Sequence, residues 1–317
     1  MNNRRKFCVG MAAAPLLTSA IPAWAQSWKH QMSMIVPYTA GGSADIFGRL
    51  FTEALGAQMD KKIVVENRPG GNAMLGAAHV SAAPADGQTL LYTYGNIMLN
   101  QEFLMKSRFR PLDMLVPVAR TAIAQTLIVA APEFPANNLN ELIALAKSRP
   151  GELTYVYYGD LGITLMAIDA GIDMLRIPYK GGVPGMLDVM GQRVDIIMSS
   201  IAQAGPHLRD GKLKALAVFG NDRLAEFPDV ATIKETLPKH QAFDYQVVMA
   251  PKDTPKPTLE QLAQHTNSAL SDPRLKQTFL QRGAIVSYMG PEEVLQFMEK
   301  DRENIEKIVK IAGIQPE

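Results

Sequence analysis

From position 31 onward the apolar residues fall into short runs and helical stripes that alternate along the chain. Ser33 to Val36 reads as a strand that runs into Pro37 and the adjacent Gly41 and Gly42. Ser43 to Met59 then sets Ala44, Phe47, Phe51, Ala54 and Leu55 on one helical face. Ile63, Val64 and Val65 predict a second strand and Ala73 to Ala83 a helix of small residues. Thr89 to Thr93 predicts a third strand, after the turn residues Pro84, Ala85, Asp86 and Gly87. The alternation is that of a βαβαβ unit, whose ligand crevice lies beyond the carboxyl ends of the strands.

After Pro111 and Pro117 the pattern restarts. Gln125 to Ala130, Leu153 to Val156, Met174 to Ile177, Val194 to Met198 and Ala215 to Phe219 read as strands. Between them lie helical patterns at Asn140 to Lys147, Ile163 to Ala170, Pro184 to Met190 and Ala202 to Arg209. The remainder reads as helical: Thr258 to Ser271, Pro273 to Arg282, and Pro291 to Ala312. In the last of these, Leu295, Met298 and Ile305 recur at helical spacing, and the charges from Glu292 to Lys310 form a solvated face. Alternating strands and helices predict parallel sheets covered by helices. They form two α/β lobes, residues 26–124 plus 247–317 and residues 125–246, with a cleft between them suited to a small ligand.

At 317 residues and 47% hydrophobic composition the chain has enough apolar surface for two such lobes. Residues 1–25 stand outside them. Arg4, Arg5 and Lys6 precede the apolar stretch Phe7 to Ile21, which ends at Ala23-Trp24-Ala25, the layout of a cleavable export signal. The basic pair also resembles a twin-arginine signal, so both export routes stand open. Without Arg4, Arg5 and Lys6 the 32 bases fall to 29 against 31 acids, a formal charge of −2. That balance argues against a nucleic-acid partner, which needs a clustered basic excess. The one cysteine, Cys8, lies in the predicted signal, so the mature chain is expected to hold no disulfide, thiol nucleophile or cysteine-bound metal. The expected product is a periplasmic monomer.

Catalytic patterns are missing. His30, His79, His207, His240 and His265 are scattered, and no nucleophile elbow or phosphate-binding loop occurs. What stands out is Val36 to Ile46. Adjacent glycines turn backbone N–H groups outward, and the following helix offers its unpaired amides and positive dipole end, a seat for an anion. An exported two-lobed chain with such a loop favours solute binding over catalysis.

The same stretch carries a resemblance. Val36-Pro37-Tyr38-Thr39-Ala40-Gly41-Gly42-Ser43-Ala44-Asp45 is similar to the V-P-[FY]-x-x-G-G-x-x-D of the Bug family of periplasmic solute receptors. That family serves tripartite tricarboxylate-type transporters. Val64-Val65-Glu66-Asn67-Arg68-Pro69-Gly70 resembles its V-V-E-N-[RK]-P-G, and Asp86-Gly87-Gln88-Thr89-Leu90-Leu91 its D-G-[YH]-T-L-L. Ile177-Pro178-Tyr179-Lys180-Gly181 and Gly191-Gln192-Arg193-Val194-Asp195 continue the likeness, followed by Gly211 to Val218 and Phe227 to Thr232.

The resemblance implies a periplasmic-binding-protein-like fold of type II whose lobes close over a small carboxylate, with no cofactor and no catalysis. A membrane permease or a sensor protein is the implied partner. It places the carboxylate on Tyr38, Thr39, Ala40, Gly41 and Gly42, with Ser43 and Thr39 as hydroxyl donors and Asp45 organising the loop. Asp45 also has a structural reading, since an acid is favoured in a helix's first turn and pairs with a base four residues on, here Arg49.

In the second lobe the chain departs from the family's Y-x-S-x-G-x-G-[ST]-x-x-H. Here Tyr155-Val156-Tyr157-Tyr158-Gly159-Asp160-Leu161-Gly162-Ile163-Thr164 lacks the serine/threonine pair, and no histidine follows. Gly159 and Gly162 keep part of the loop and Thr164 is the candidate replacement hydroxyl, while Asp160 is an unwelcome charge opposite an anion. Three readings stay open: a ligand with an amine or hydroxyl at its far end, a pocket rebuilt around Tyr157 and Tyr158, or lost binding followed by a signalling role. Tyr179, Lys180 and Gly181 open a helix facing the expected cleft, where Lys180 reads equally as a solvated cation. Ser199, beside Ser200, reads as a cleft residue or a helix cap, and Tyr94, with Asn96, completes the expected site.

Overall fold

The computed structural model describes residues 31–106, 110–220, 222–240, 244–311 and 316. The predicted export signal lies outside them. The first unit runs β1 (Gln31–Val36), α1 (Ser43–Met59), β2 (Lys62–Asn67), α2 (Met74–Ser81) and β3 (Thr89–Tyr94), the βαβαβ order expected. It continues through α3 (Gly95–Leu104), α4 (Pro111–Met114) and β4 (Leu115–Ala124). The second sheet is built from β5 (Thr126–Ala130), α5 (Leu139–Ser148), β6 (Thr154–Tyr157), α6 (Gly162–Ala170), β7 (Leu175–Pro178), α7 (Gly182–Met190), β8 (Ile196–Ser200), α8 (Ile201–Arg209) and β9 (Lys214–Phe219). After α9 (Ile233–Thr236) the chain re-enters the first sheet with β10 (Asp244–Pro251), then adds α10 (Lys256–Ser271), α11 (Pro273–Gln281), β11 (Ala284–Met289) and α12 (Pro291–Ile311).

The result is the expected two-lobed α/β architecture, with one correction. Neither sheet is wholly parallel. The first has the order β11-β4-β10-β3-β1-β2, in which β1 runs parallel to β2 and β3 while β10 is antiparallel to β3 and β4. The second has the order β7-β6-β8-β5-β9, in which β6 is parallel to β7 and β8 while β5 is antiparallel to β8 and β9. The reason is the route of the chain. A helical crossover returns a strand in the same direction, but β5 and β10 each enter their sheet from the other lobe, and each runs antiparallel to its neighbours.

Helix α1 fixes the loop before it. Phe47, Phe51 and Leu55, four residues apart, are fully buried, and each such side chain contributes about 1.5–3 kcal/mol. Phe51 stacks on Tyr92 of β3 at 5.6 Å and Phe47 tilts onto Phe279 of α11 at 5.0 Å. The N-terminus of α1 is thereby held at the carboxyl ends of β1 and β3. Helix α12 packs along α3, its inner face buried at Val294, Met298 and Ile305. Arg302 holds Glu102 of α3 in an ion pair.

Candidate ligand-binding site

The loop between β1 and α1 is held from behind by one carboxylate. Asp45, 4% exposed, accepts the Gly41 N–H at Oδ2 (2.9 Å) and the Asn67 amide at Oδ1 (2.9 Å), and pairs with Arg49 Nε at 2.9 Å. Asn67, at the end of β2, also donates to the Tyr38 carbonyl at 3.2 Å. Burial opposes ionisation of Asp45, but Arg49, the Gly41 amide and Asn67 outweigh it and hold the carboxyl below its ordinary value. Both readings of Asp45 are present: it organises the loop through Gly41 and Asn67, and it stands in the first turn of α1 paired with Arg49. Asn67 is an anchor that stood in a recognised motif without being singled out.

What the loop presents is backbone. Gly42 is the N-cap of α1 and Gly181 that of α7, and neither helix end receives a side-chain cap. The first amides of each helix are left without intrahelical partners. The two ends abut across the cleft. A Cβ on Gly181 would lie 2.8 Å from Thr39 Oγ1, and one on Gly42 would lie 3.9 Å from Val183 Cγ2. Thr39 Oγ1 is buried there without a hydrogen-bond partner. Beside it Ser43 Oγ meets Ser200 Oγ at 2.5 Å, a direct bond between the lobes. Ala40 and Gly41 are exposed on the rim, as is Lys180.

The aromatic residues divide. Tyr38 is buried, its hydroxyl 3.3 Å from Thr93 Oγ1 and its ring edge-on to Tyr94 at 5.9 Å. Tyr158 reaches the space between the lobes and donates to the Met198 carbonyl at 3.1 Å. Burial raises all three phenols, with Asp244 adding to each, so they remain neutral donors. Adjacent Tyr157 points the other way by strand alternation. It is buried in the core of the second lobe with the Arg176 guanidinium 4.9 Å over its ring.

Other expected residues turn out to serve the second lobe itself. The Thr164 hydroxyl bonds the Tyr155 hydroxyl at 2.8 Å, a contact within the second lobe. Tyr179 donates to Asp188 of α7 at 2.6 Å. Ser199 is 2% exposed on the face of β8 that carries Ile197, while its neighbour Ser200 makes the contact across the cleft. Gly159 does bridge the lobes. Its carbonyl accepts from Asn100 at 3.3 Å and Gln101 at 2.9 Å, both on α3. With φ at +103° and Gln101 Nε2 only 2.8 Å from where a Cβ would stand, the position admits glycine alone without rearrangement.

A cavity of about 320 Å³ lies on the hinge side of this contact, between α3, α6, β10 and α12. Of the residues expected at the cleft, Asn96 and Gly162 line it. Its polar wall includes Asn96, Thr126, Asp244 and Asp301. Asp160, 4% exposed, sits next to it, its Oδ1 accepting at 2.9 Å the N–H of Gly162, a residue of the wall. Burial, with Asp244 adding, pushes the Asp160 carboxyl up to about 7. Burial pushes Asp244 up to about 6 against the Asn96 amide, which donates to it at 2.7 Å. The sequence marked Asp160 as a misplaced charge but gave no sign of Asp244, whose partner Asn96 is 148 residues away.

Residues 47–314 match the family model described as tripartite tricarboxylate transporter family receptor. Protein BugT of Bordetella pertussis is 29% identical over 309 residues, covering 95% of this chain and 93% of BugT. Among solved structures, the periplasmic binding protein BugD is 27% identical with a TM-score of 0.85, covering 90% of this chain and 99% of its own. R. palustris Rpa4515, solved with adipate, is 26% identical with a TM-score of 0.87, covering 92% of this chain and 100% of its own.

Proposed function

The chain belongs to the tripartite tricarboxylate transporter family of receptors, and on that premise we propose that it captures a small carboxylate in the periplasm by closure of its two lobes. The observation that carries this reading is the meeting of two uncapped helix N-termini, one from each lobe, at Gly42 and Gly181. Each end is worth about 0.3–1 kcal/mol to a negative group, more where water is excluded, and together they grip an anion from both sides. Thr39, with its buried unpartnered hydroxyl, adds a donor at the same spot. The adipate held by a relative of similar fold supports a carboxylate ligand. The lobes divide near Gln125 and again before Asp244, and the closed form is what a membrane permease or sensor recognises.

A melting-temperature panel of mono-, di- and tricarboxylates, aromatic acids and amino acids tests the reading. A ligand present at about 100 times its dissociation constant adds about 2.7 kcal/mol to stability, so at least one class is expected to raise the midpoint by several degrees. Gly181→Val is expected to leave the free protein's melting unchanged, because the residue's φ of 163° is ordinary extended backbone. It is also expected to abolish the ligand response, because the new side chain strikes Thr39 and props the cleft open. A silent panel, or a variant that responds as the parent does, removes the proposal.

A further inference from the structure

The cavity wall is rich in acceptors. Asp244 comes from β10 and Asp301 from α12, and Asp160 stands immediately beside the wall at the start of α6. These are three separate elements brought to one space. A carboxylate has about four lone-pair sites. Among the described residues the donors include the Asn96 amide on Asp244, the Gly162 N–H and the residue's own N–H on Asp160, and the Tyr245 hydroxyl on Asp301 at 2.8 Å. The one cation among the lining residues is Lys307, exposed on α12.

A neutral group points the same way. Asn96 lines the cavity and turns its amide N–H toward Asp244, which leaves its own Oδ1 buried without a donor. An unsatisfied buried oxygen costs about 1–3 kcal/mol. A ligand that brings N–H donors removes that cost; one that brings a second carboxylate does not. Any anion placed here would meet Asp244 and Asp301, and then Asp160.

Building on the carboxylate reading above, we propose that the natural ligand carries a protonated amine as well as a carboxylate. Its ammonium group sits in the cavity against Asp244, Asp160 and Asn96 Oδ1. Its carboxylate lies at the helix ends around Gly42 and Gly181, with Tyr94 and Tyr158 between. An ammonium supplies three donors and one positive charge, which matches two acids and one amide oxygen. The receptor is therefore selective for amino acids over dicarboxylates of the same length, and Asp244 and Asp160 are the residues that set the selectivity.

The test uses the intact mature protein and compounds on one carbon skeleton. For chains of three to six carbons, titration calorimetry compares the 2-amino acid, the terminal amino acid, the unsubstituted monocarboxylate and the dicarboxylate. Charge-assisted hydrogen bonds predict that an amine-bearing member binds about tenfold or more tighter than its monocarboxylate. The dicarboxylate is expected to bind more weakly than either. Asp244→Asn and Asp160→Asn are each expected to erase the advantage of the amine while leaving the monocarboxylate's affinity in place, which separates recognition from misfolding. Dicarboxylates that bind as tightly as the amino acids overturn the inference, as do variants that keep the amine's advantage, and the receptor reading survives either result. If carboxylates of every class fail to bind, the receptor reading falls first and this inference falls with it.

Discussion

Asp45→Asn is expected to cost the protein both stability and ligand, although the two side chains have nearly the same shape. The carboxylate of Asp45 accepts from three donors, the Gly41 N–H, the Asn67 amide and the Arg49 guanidinium. An asparagine must turn its own NH₂ toward one side, where it faces either the Gly41 N–H or the Asn67 amide, donor against donor. A buried donor without an acceptor costs about 1–3 kcal/mol, and the lost charge on the exposed Arg49 adds little. Asn67 would lose one of its two anchors, keeping the bond from Arg49, so its hold on the Tyr38 carbonyl weakens and the loop from Tyr38 to Ser43 loosens at the proposed ligand site. The expected outcome is a melting temperature lower by several degrees and a carboxylate affinity down by about tenfold or more. Calorimetry on the variant checks both, and an unchanged affinity would show that the loop keeps its shape without Asp45.

The free protein is also expected to become more stable as pH falls from 8 to 5. Asp160 and Asp244 ionise at about 7 and about 6 in the folded chain, against 3.8 for the ordinary side chain in the unfolded one. Between these limits the native state binds protons that the unfolded state does not, so stability falls as pH rises through the folded values. Each tenfold difference in proton affinity is worth about 1.4 kcal/mol, and the two groups together make the swing several kcal/mol. Asp301 shifts in the same direction through burial. Tyr38, Tyr94 and Tyr158 nearby stay neutral over the whole range. Acids held low by their partners, such as Asp45 and Glu235, act at the acidic end, below about pH 4, outside this window. His240, held low by burial, works the other way below about pH 6.5 and is outweighed by the two acids. Scanning calorimetry at pH 5, 6, 7 and 8 in buffers without carboxylates reads the trend, and Asp244→Asn should flatten it. A midpoint that climbs with pH would refute the account of the two acids.

The first unit was legible because its periodicities are strong. The four-residue spacing of Phe47, Phe51 and Leu55 set α1 at Ser43–Met59, as observed. Strands β10 and β11 were not legible. All of β10 is buried, so Asp244 to Pro251 shows no alternation, and β11 follows α11 so closely that it reads as a helix end. Helix α3 is buried around most of its circumference, so it carries no stripe. The site divides in the same way. The loop of the first lobe is local in sequence and could be read there. Which of Tyr157 and Tyr158 faces the cleft depends on the phase of β6, and a one-residue shift reverses it. Asp244 takes its meaning from Asn96 and Asp160, which only the folded chain brings near.

Gln125, the single residue between β4 and β5, donates to the Gly283 carbonyl at 2.6 Å and accepts from the Ile201 N–H at 3.3 Å. One residue is thus tethered to the first lobe through its N–H and to the second through its carbonyl. Gly283 itself lies against Ile201, where any Cβ would come within 2.3 Å of the isoleucine's own, and its φ of +79° already favours glycine. On the proposed closure the two halves turn about Gln125, where Gly283 and Ile201 leave no clearance for a side chain.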